Sequence, residues 1–127
     1  MPETDPGQDL HNVGDFADSS ATLVQGRLDA INPGLAALHK GLIPETFDGL
    51  EAHRIAFAHI DVDIYRSVAD CCAFIHPRMV PGGFMVFDDY GFPSCPGARK
   101  AVDEFFAEKP ENPLVLPTGQ AVVFKSP

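Results

Sequence analysis

Two apolar runs, each stopped by a pair of aspartates, constrain the fold of this chain more than any other feature. Ile55-Ala56-Phe57-Ala58-His59-Ile60 is nearly continuous in apolar character and ends at Asp61-Val62-Asp63; Phe84-Met85-Val86-Phe87 ends in the same way at Asp88-Asp89. Such runs read as strands covered on both faces in an α/β sheet. Between them, Ser67 to His76 places Val68, Cys72 and Ile75 at helical spacing before Pro77, and Pro81-Gly82-Gly83 turns the chain into the second run. A strand, a helix and a strand in succession form a right-handed crossover with parallel strands. Their carboxyl ends share one edge of the sheet, the edge where open α/β sheets bind ligands. Asp61, Asp63, Asp88 and Asp89 are therefore expected to converge.

The rest of the chain adds elements around this unit. From Ser19 or Ser20 as N-cap, Ala21, Val24, Leu28 and Ile31 predict a helix that Asn32-Pro33-Gly34 ends. Leu35 to His39 reads as a short buried strand. Ala98, Ala101, Val102, Phe105 and Phe106 follow the spacing of an amphipathic helix, and Leu114-Val115-Leu116 with Ala121 to Phe124 flanks Pro117-Thr118-Gly119-Gln120 as an antiparallel hairpin. Residues 1–18, rich in Asp, Gly, Pro and Asn without periodicity, read as a flexible segment, which leaves one folded domain over residues 19–127.

A formal charge of −9 argues against nucleic acid and against an anionic membrane face, both of which require Lys and Arg. No apolar stretch reaches the length of a membrane span, and no secretory signal opens the chain, so a cytoplasmic protein is expected. Cys71, Cys72 and Cys95 form no C-x-x-C pair, which fits a reducing compartment. Cys71 and Cys72 fall within a predicted helix without a basic activator and read as inert packing.

Carboxylates gathered in a crevice repel one another unless protons or a cation neutralise them, and oxygen donors suit Mg²⁺, Ca²⁺ or Mn²⁺. The alternatives are ordinary: aspartates at strand ends cap helices, and Asp-Asp-Tyr-Gly forms polar turns. His59 shares strand parity with Asp61, but a lone histidine in an apolar strand reads first as a core residue. Walker loops, G-x-S-x-G and zinc spacings are absent from the sequence.

Four segments, in order, resemble the macrocin-type O-methyltransferases, S-adenosylmethionine-dependent enzymes that methylate sugar hydroxyls of antibiotics. They are Lys40 to Phe47, His59-Ile60-Asp61-Val62-Asp63-Ile64-Tyr65-Arg66-Ser67, Pro81-Gly82-Gly83 through Asp88-Asp89-Tyr90-Gly91, and Gly97 to Phe105. The second and third together carry the specificity. The resemblance implies Asp61, Asp88 and Asp89 as Mg²⁺ (or Mn²⁺) ligands, Asp63 as the base that takes the proton of the acceptor hydroxyl, and Gly41 and Leu42 beside the adenine of S-adenosylmethionine. It also implies a partial class I methyltransferase, Rossmann-like sheet: parallel strands with a C-terminal antiparallel hairpin.

That family also carries a glycine-rich cofactor loop after its first strand and an acidic residue after its second, and neither is visible in these 127 residues. The expectation is accordingly a truncated sugar O-methyltransferase; the alternative is a noncatalytic methyltransferase remnant acting as an interaction module. With no neighbour on one side, the Ile55 to Ile60 strand is expected to be covered by Leu35 to His39 or by a second copy in a homodimer.

Overall fold

The computed structural model describes Gly7, Leu10 and residues 19–127; the expected flexible segment over residues 1–18 lies, apart from those two, outside the described residues. Four strands form one mixed sheet in the order β1-β2-β4-β3. β1 (Ile55–Ile60) and β2 (Met79–Phe87) are parallel, joined by α2 (Tyr65–Ile75) and a single 3-10 turn, His76–Arg78, that contains Pro77. The crossover predicted from the two apolar runs is thus present. β4 (Ala121–Phe124) pairs antiparallel with β2, and β3 (Leu114–Val115) pairs antiparallel with β4 as the predicted hairpin.

β2 begins earlier than its apolar run. Pro81, Gly82 and Gly83 lie inside it as an irregularity opposite β1, where the register passes from Ile55↔Met79 to Phe57↔Phe84. Gly82 adopts φ +79°, open to glycine; its N–H donates to Lys125 O at 2.9 Å, and the Lys125 N–H donates to Gly83 O at 2.8 Å.

The core lies on one face of the sheet. Alternation turns Met79, Met85 and Phe87 of β2 and Ala121 and Val123 of β4 toward α2 and α3 (Pro96–Phe106), where they meet Val68, Cys72, Ala98, Ala101, Val102 and Phe106. The alternation that buries these residues exposes their neighbours. Phe57, Phe84 and Phe124, directly opposite one another in register, form a ladder with ring centroids 4.9 and 5.7 Å apart on the far face. Phe57 is 54% exposed, so β1 is covered on one face and not on two as its composition led us to expect.

A second correction concerns residues 35–39. They form no strand, and Leu35 is 76% exposed, so β1 remains an edge strand. A run this short needs a paired neighbour to become a strand, and the turn after α1 (Ala21–Ile31) does not bring it to one. α1 itself forms as read, capped by Ser20, whose hydroxyl accepts the Leu23 N–H at 3.2 Å, but buries none of its residues.

Candidate active site

The two strand ends are fastened together before any side chain is considered, because the Asp88 N–H donates to Ile60 O at 2.9 Å and extends the β1–β2 pairing into the acidic turn. One carboxylate oxygen from each of Asp61, Asp88 and Asp89 lies within 4.8 Å of the others. A second group meeting the same limit consists of Asp63, Asp89 and Cys95, so Asp89 stands between Asp61 and Asp88 on one side and Asp63 on the other. All four predicted aspartates are brought together. The helix-cap alternative is removed for the first pair: the N-cap of α2 is Ile64, with no side-chain cap bond.

The electrostatics single out Asp89. Burial first, then the charge and hydrogen bond of Asp63, then Asp61 and Asp88, push its carboxyl up to about 7. Its Oδ2 is buried without a hydrogen-bond partner. A buried carboxylate oxygen without a donor costs free energy, and a cation would remove that cost. Asp88 moves the other way: the Gln120 amide chiefly, with His59 adding, holds it below the usual carboxylate range against the opposing effect of burial. Asp61, Asp88 and Asp89 are an all-oxygen set, which fits a hard divalent cation; the thiol in the other group suits softer metals.

The tyrosines of the two acidic motifs do structural work here. Tyr65 donates to Glu104 Oε2 and Tyr90 to Asp103 Oδ1, each at 2.6 Å. The first turn of α2 and the acidic turn after β2 are thereby tied to α3, whose N-cap, Cys95, adjoins Asp63 and Asp89. Gly91 completes the anchoring: its N–H donates to Gly119 O at 2.6 Å, and a Cβ there would stand 2.7 Å from that oxygen. Gly91→Ala is expected to push the hairpin off the acidic turn and to cost about 1–3 kcal/mol, the usual range for overpacking; urea denaturation of the variant checks it.

Sequence reasoning misplaced one residue and missed another. His59 is no core residue: its side chain is 45% exposed and its Nε2 lies 3.3 Å from Asp88 Oδ1. Gln120 donates to the same oxygen at 2.6 Å; the only signal for it was its place in the hairpin turn leading into β4, the neighbour of β2. Cys71 and Cys72 are buried, and burial pushes both thiols up to about 12, in keeping with inert packing. Gly41 and Leu42 sit exposed on the loop before the 3-10 turn Glu45–Phe47, with Leu42 O accepting the Thr46 N–H at 3.0 Å.

Comparison with known proteins gives a consistent family. The mycinamicin III 3''-O-methyltransferase of Micromonospora griseorubida is 29% identical over 105 residues, 80% of this chain and 40% of that protein. The 8-demethyl-8-(2,3-dimethoxy-alpha-L-rhamnosyl)-tetracenomycin-C 4'-O-methyltransferase of Streptomyces olivaceus is 35% identical over 65 residues, 51% of this chain and 24% of that one. The chain thus spans two fifths or less of the length of these relatives. The solved structure of the O-methyltransferase NovP superimposes with a TM-score of 0.73 at 20% identity, covering 98% of this chain and 59% of NovP, and shows the same fold. A profile of the macrocin O-methyltransferase family matches residues 3–125, and the chain belongs to that family.

Proposed function

We propose that this chain carries the divalent-cation and proton-accepting part of an S-adenosylmethionine-dependent O-methyltransferase acting on a sugar hydroxyl. The observation that supports it most is the convergence of Asp61, Asp88 and Asp89, in which Asp89 also carries a buried Oδ2 without a hydrogen-bond partner. The Streptomyces olivaceus relative is named for O-methylation of a rhamnosyl-bearing tetracenomycin, which points to a sugar hydroxyl as the acceptor class. Asp61, Asp88 and Asp89 would hold Mg²⁺ or Mn²⁺, whose charge would lower the pKa of an acceptor hydroxyl as bound metals lower that of water. S-Adenosylmethionine supplies an electrophilic methyl group, and Gly41 and Leu42 are proposed to lie beside its adenine.

The protein's own part is positioning and proton handling. Asp63 shares a hydrogen bond with Asp89 in the metal-free state. With Asp89 ionised, the Asp63 carboxylate would be available to accept the proton of the acceptor hydroxyl, a role worth about 10²–10⁴ in rate. The N-terminus of α3 beside this group favours negative charge there. The same proposal includes a homodimer, with a second copy covering the free edge of β1 and its aromatic face.

Mn²⁺ titration of four single variants tests the division of roles. Asp61→Asn, Asp88→Asn and Asp89→Asn are each expected to weaken binding at least about tenfold, since each removes a charged ligand, while Asp63→Asn changes it less than about twofold. Equal loss in all four erases the distinction between ligands and base. No Mn²⁺ binding by the parent chain removes the cation site and leaves the noncatalytic remnant.

A further inference from the structure

Asp88 is held by two nitrogens on a single oxygen. Gln120 Nε2 donates to Oδ1 at 2.6 Å, and His59 Nε2 stands 3.3 Å from the same atom. A carboxylate oxygen offers two lone-pair directions, so these contacts occupy Oδ1 and leave Oδ2 as the oxygen open to a ligand.

Gln120 is itself fixed at several points. The register Phe87↔Ala121 places it opposite Asp88 across the β2–β4 pair. Its carbonyl accepts the Leu116 N–H at 2.8 Å across the hairpin, and the preceding Gly119 O accepts Gly91 N–H at 2.6 Å. Its side-chain amide is oriented as well: the Thr118 hydroxyl donates to Oε1 at 3.1 Å, so the NH₂ end faces Asp88. A long, otherwise freely rotating side chain is thereby held in one direction by the turn that delivers it.

The number of oxygens a carboxylate can offer bears on which cation it takes. Ca²⁺ accepts six to eight oxygen ligands and uses carboxylates in the two-oxygen mode, whereas Mg²⁺ requires six close ligands in near-octahedral geometry, to which a carboxylate contributes one oxygen. Resting on the reading of Asp61, Asp88 and Asp89 as a divalent-cation site, we infer that Gln120 is a positioning residue that holds Asp88 as a one-oxygen ligand and so sets the preference of the site for a small six-coordinate cation over Ca²⁺. The polar tip of the hairpin, outside the carboxylate group, thus bears on the choice of metal. His59 adds to the same restraint from β1, and Gln120 makes the shorter contact of the two.

Calorimetric titration of the parent chain, Gln120→Ala and Gln120→Asn with Mn²⁺ and, separately, with Ca²⁺ tests this. Asn keeps an amide but falls one methylene short of Asp88, so it controls for loss of polarity in the turn, and thermal melting of the metal-free proteins reports whether the fold is kept. The parent is expected to bind Mn²⁺ in preference to Ca²⁺, and both substitutions are expected to lower the Mn²⁺/Ca²⁺ affinity ratio about tenfold, the lower end of what losing a hydrogen bond to a metal ligand costs. A parent that binds Mn²⁺ while the ratio stays unchanged in both variants overturns the inference and leaves the cation site standing. Equal weakening of both cations also overturns it, because the hairpin then only supports the fold. Absence of Mn²⁺ binding in the parent removes the cation site, and this inference with it.

Discussion

Asp89→Asn is expected to stabilise the metal-free protein at pH 8 by about 1–3 kcal/mol even as it weakens its hold on a divalent cation, since each tenfold displacement of a protonation equilibrium is worth about 1.4 kcal/mol and solvent reaching the half-buried cluster screens part of it. The sign follows from the direction in which Asp89 titrates. Its carboxyl is raised to about 7, by burial first and then by Asp63, Asp61 and Asp88. A group whose folded pKa lies above its unfolded value adds stability that is full below the unfolded value, near 3.8, and is lost as pH rises through about 7. Above that point the folded chain holds an ionised carboxylate among three others, with one buried oxygen that has no donor. Asparagine removes the charge and keeps the shape.

Urea denaturation of parent and variant at pH 5 and pH 8, with chelator present, measures the effect. The parent should lose stability between the two pH values, and the variant should lose much less. A parent as stable at pH 8 as at pH 5 would show that the four carboxylates are too well solvated to repel. Saturating Mn²⁺ should restore the parent at pH 8, because a ligand that binds only the native state stabilises it. The variant should gain little from the same addition. Stability traded against ligand binding in one residue is what a functional carboxylate cluster produces.

How much of this was legible in the sequence depended on how local the cause was. The parallel pair β1–β2 and the meeting of Asp61, Asp63, Asp88 and Asp89 rest on two apolar runs and on the handedness of the crossover, and both operate at short range. Residues 35–39 looked like a strand for the same local reason, apolar composition, but a strand requires a neighbour, and Leu35 and Leu38 instead remain exposed. The far side of β1 failed similarly: Phe57 has the composition of a buried residue, and its exposure is decided by which elements cover that face. His59 and Gln120 mark the same boundary. One is outward-facing by strand parity and reaches an aspartate on the next strand; the other reaches the same atom through the register of a hairpin near the end of the chain. Neither contact has a signature in the local sequence.

The second large effect lies away from the carboxylate cluster, at Glu111. Its side chain is 1% exposed, an unusual place for a carboxylate unless it is paired. Ser126 N–H donates to Oε1 at 3.1 Å and Lys125 Nζ at 3.3 Å. His76 Nε2 stands 3.4 Å from Oε2 without the alignment of a hydrogen bond, its ring set edge-on to Phe105 and Phe106. This cluster joins the end of α2, the loop after α3 and the segment that follows β4. Burial alone would raise the Glu111 carboxyl; the backbone N–H groups of Ser126 and Glu111 itself, then Lys125 and His76, outweigh it and hold it at about 2. A depressed carboxyl contributes stability that is present above its unfolded value, near 4.5, and is lost as pH falls toward about 2. His76 acts in the same sense: burial first, then Lys125, keeps it below its ordinary range, so acid must charge a buried ring. Glu111→Gln is therefore expected to cost roughly 2–3 kcal/mol at pH 7, with the difference shrinking below pH 4.5, because the half-buried Lys125 regains solvent and limits the loss. Denaturation of the pair at pH 7 and pH 3 gives the answer, and a difference of the same size at both would mean that packing of the amide, and not charge, is what the substitution disturbs. Asp89 and Glu111 pull in opposite directions along the pH axis, so the two together should make the metal-free parent most stable near about pH 4, with Asp89→Asn carrying that stability to higher pH and Glu111→Gln lowering it without changing the decline on the alkaline side.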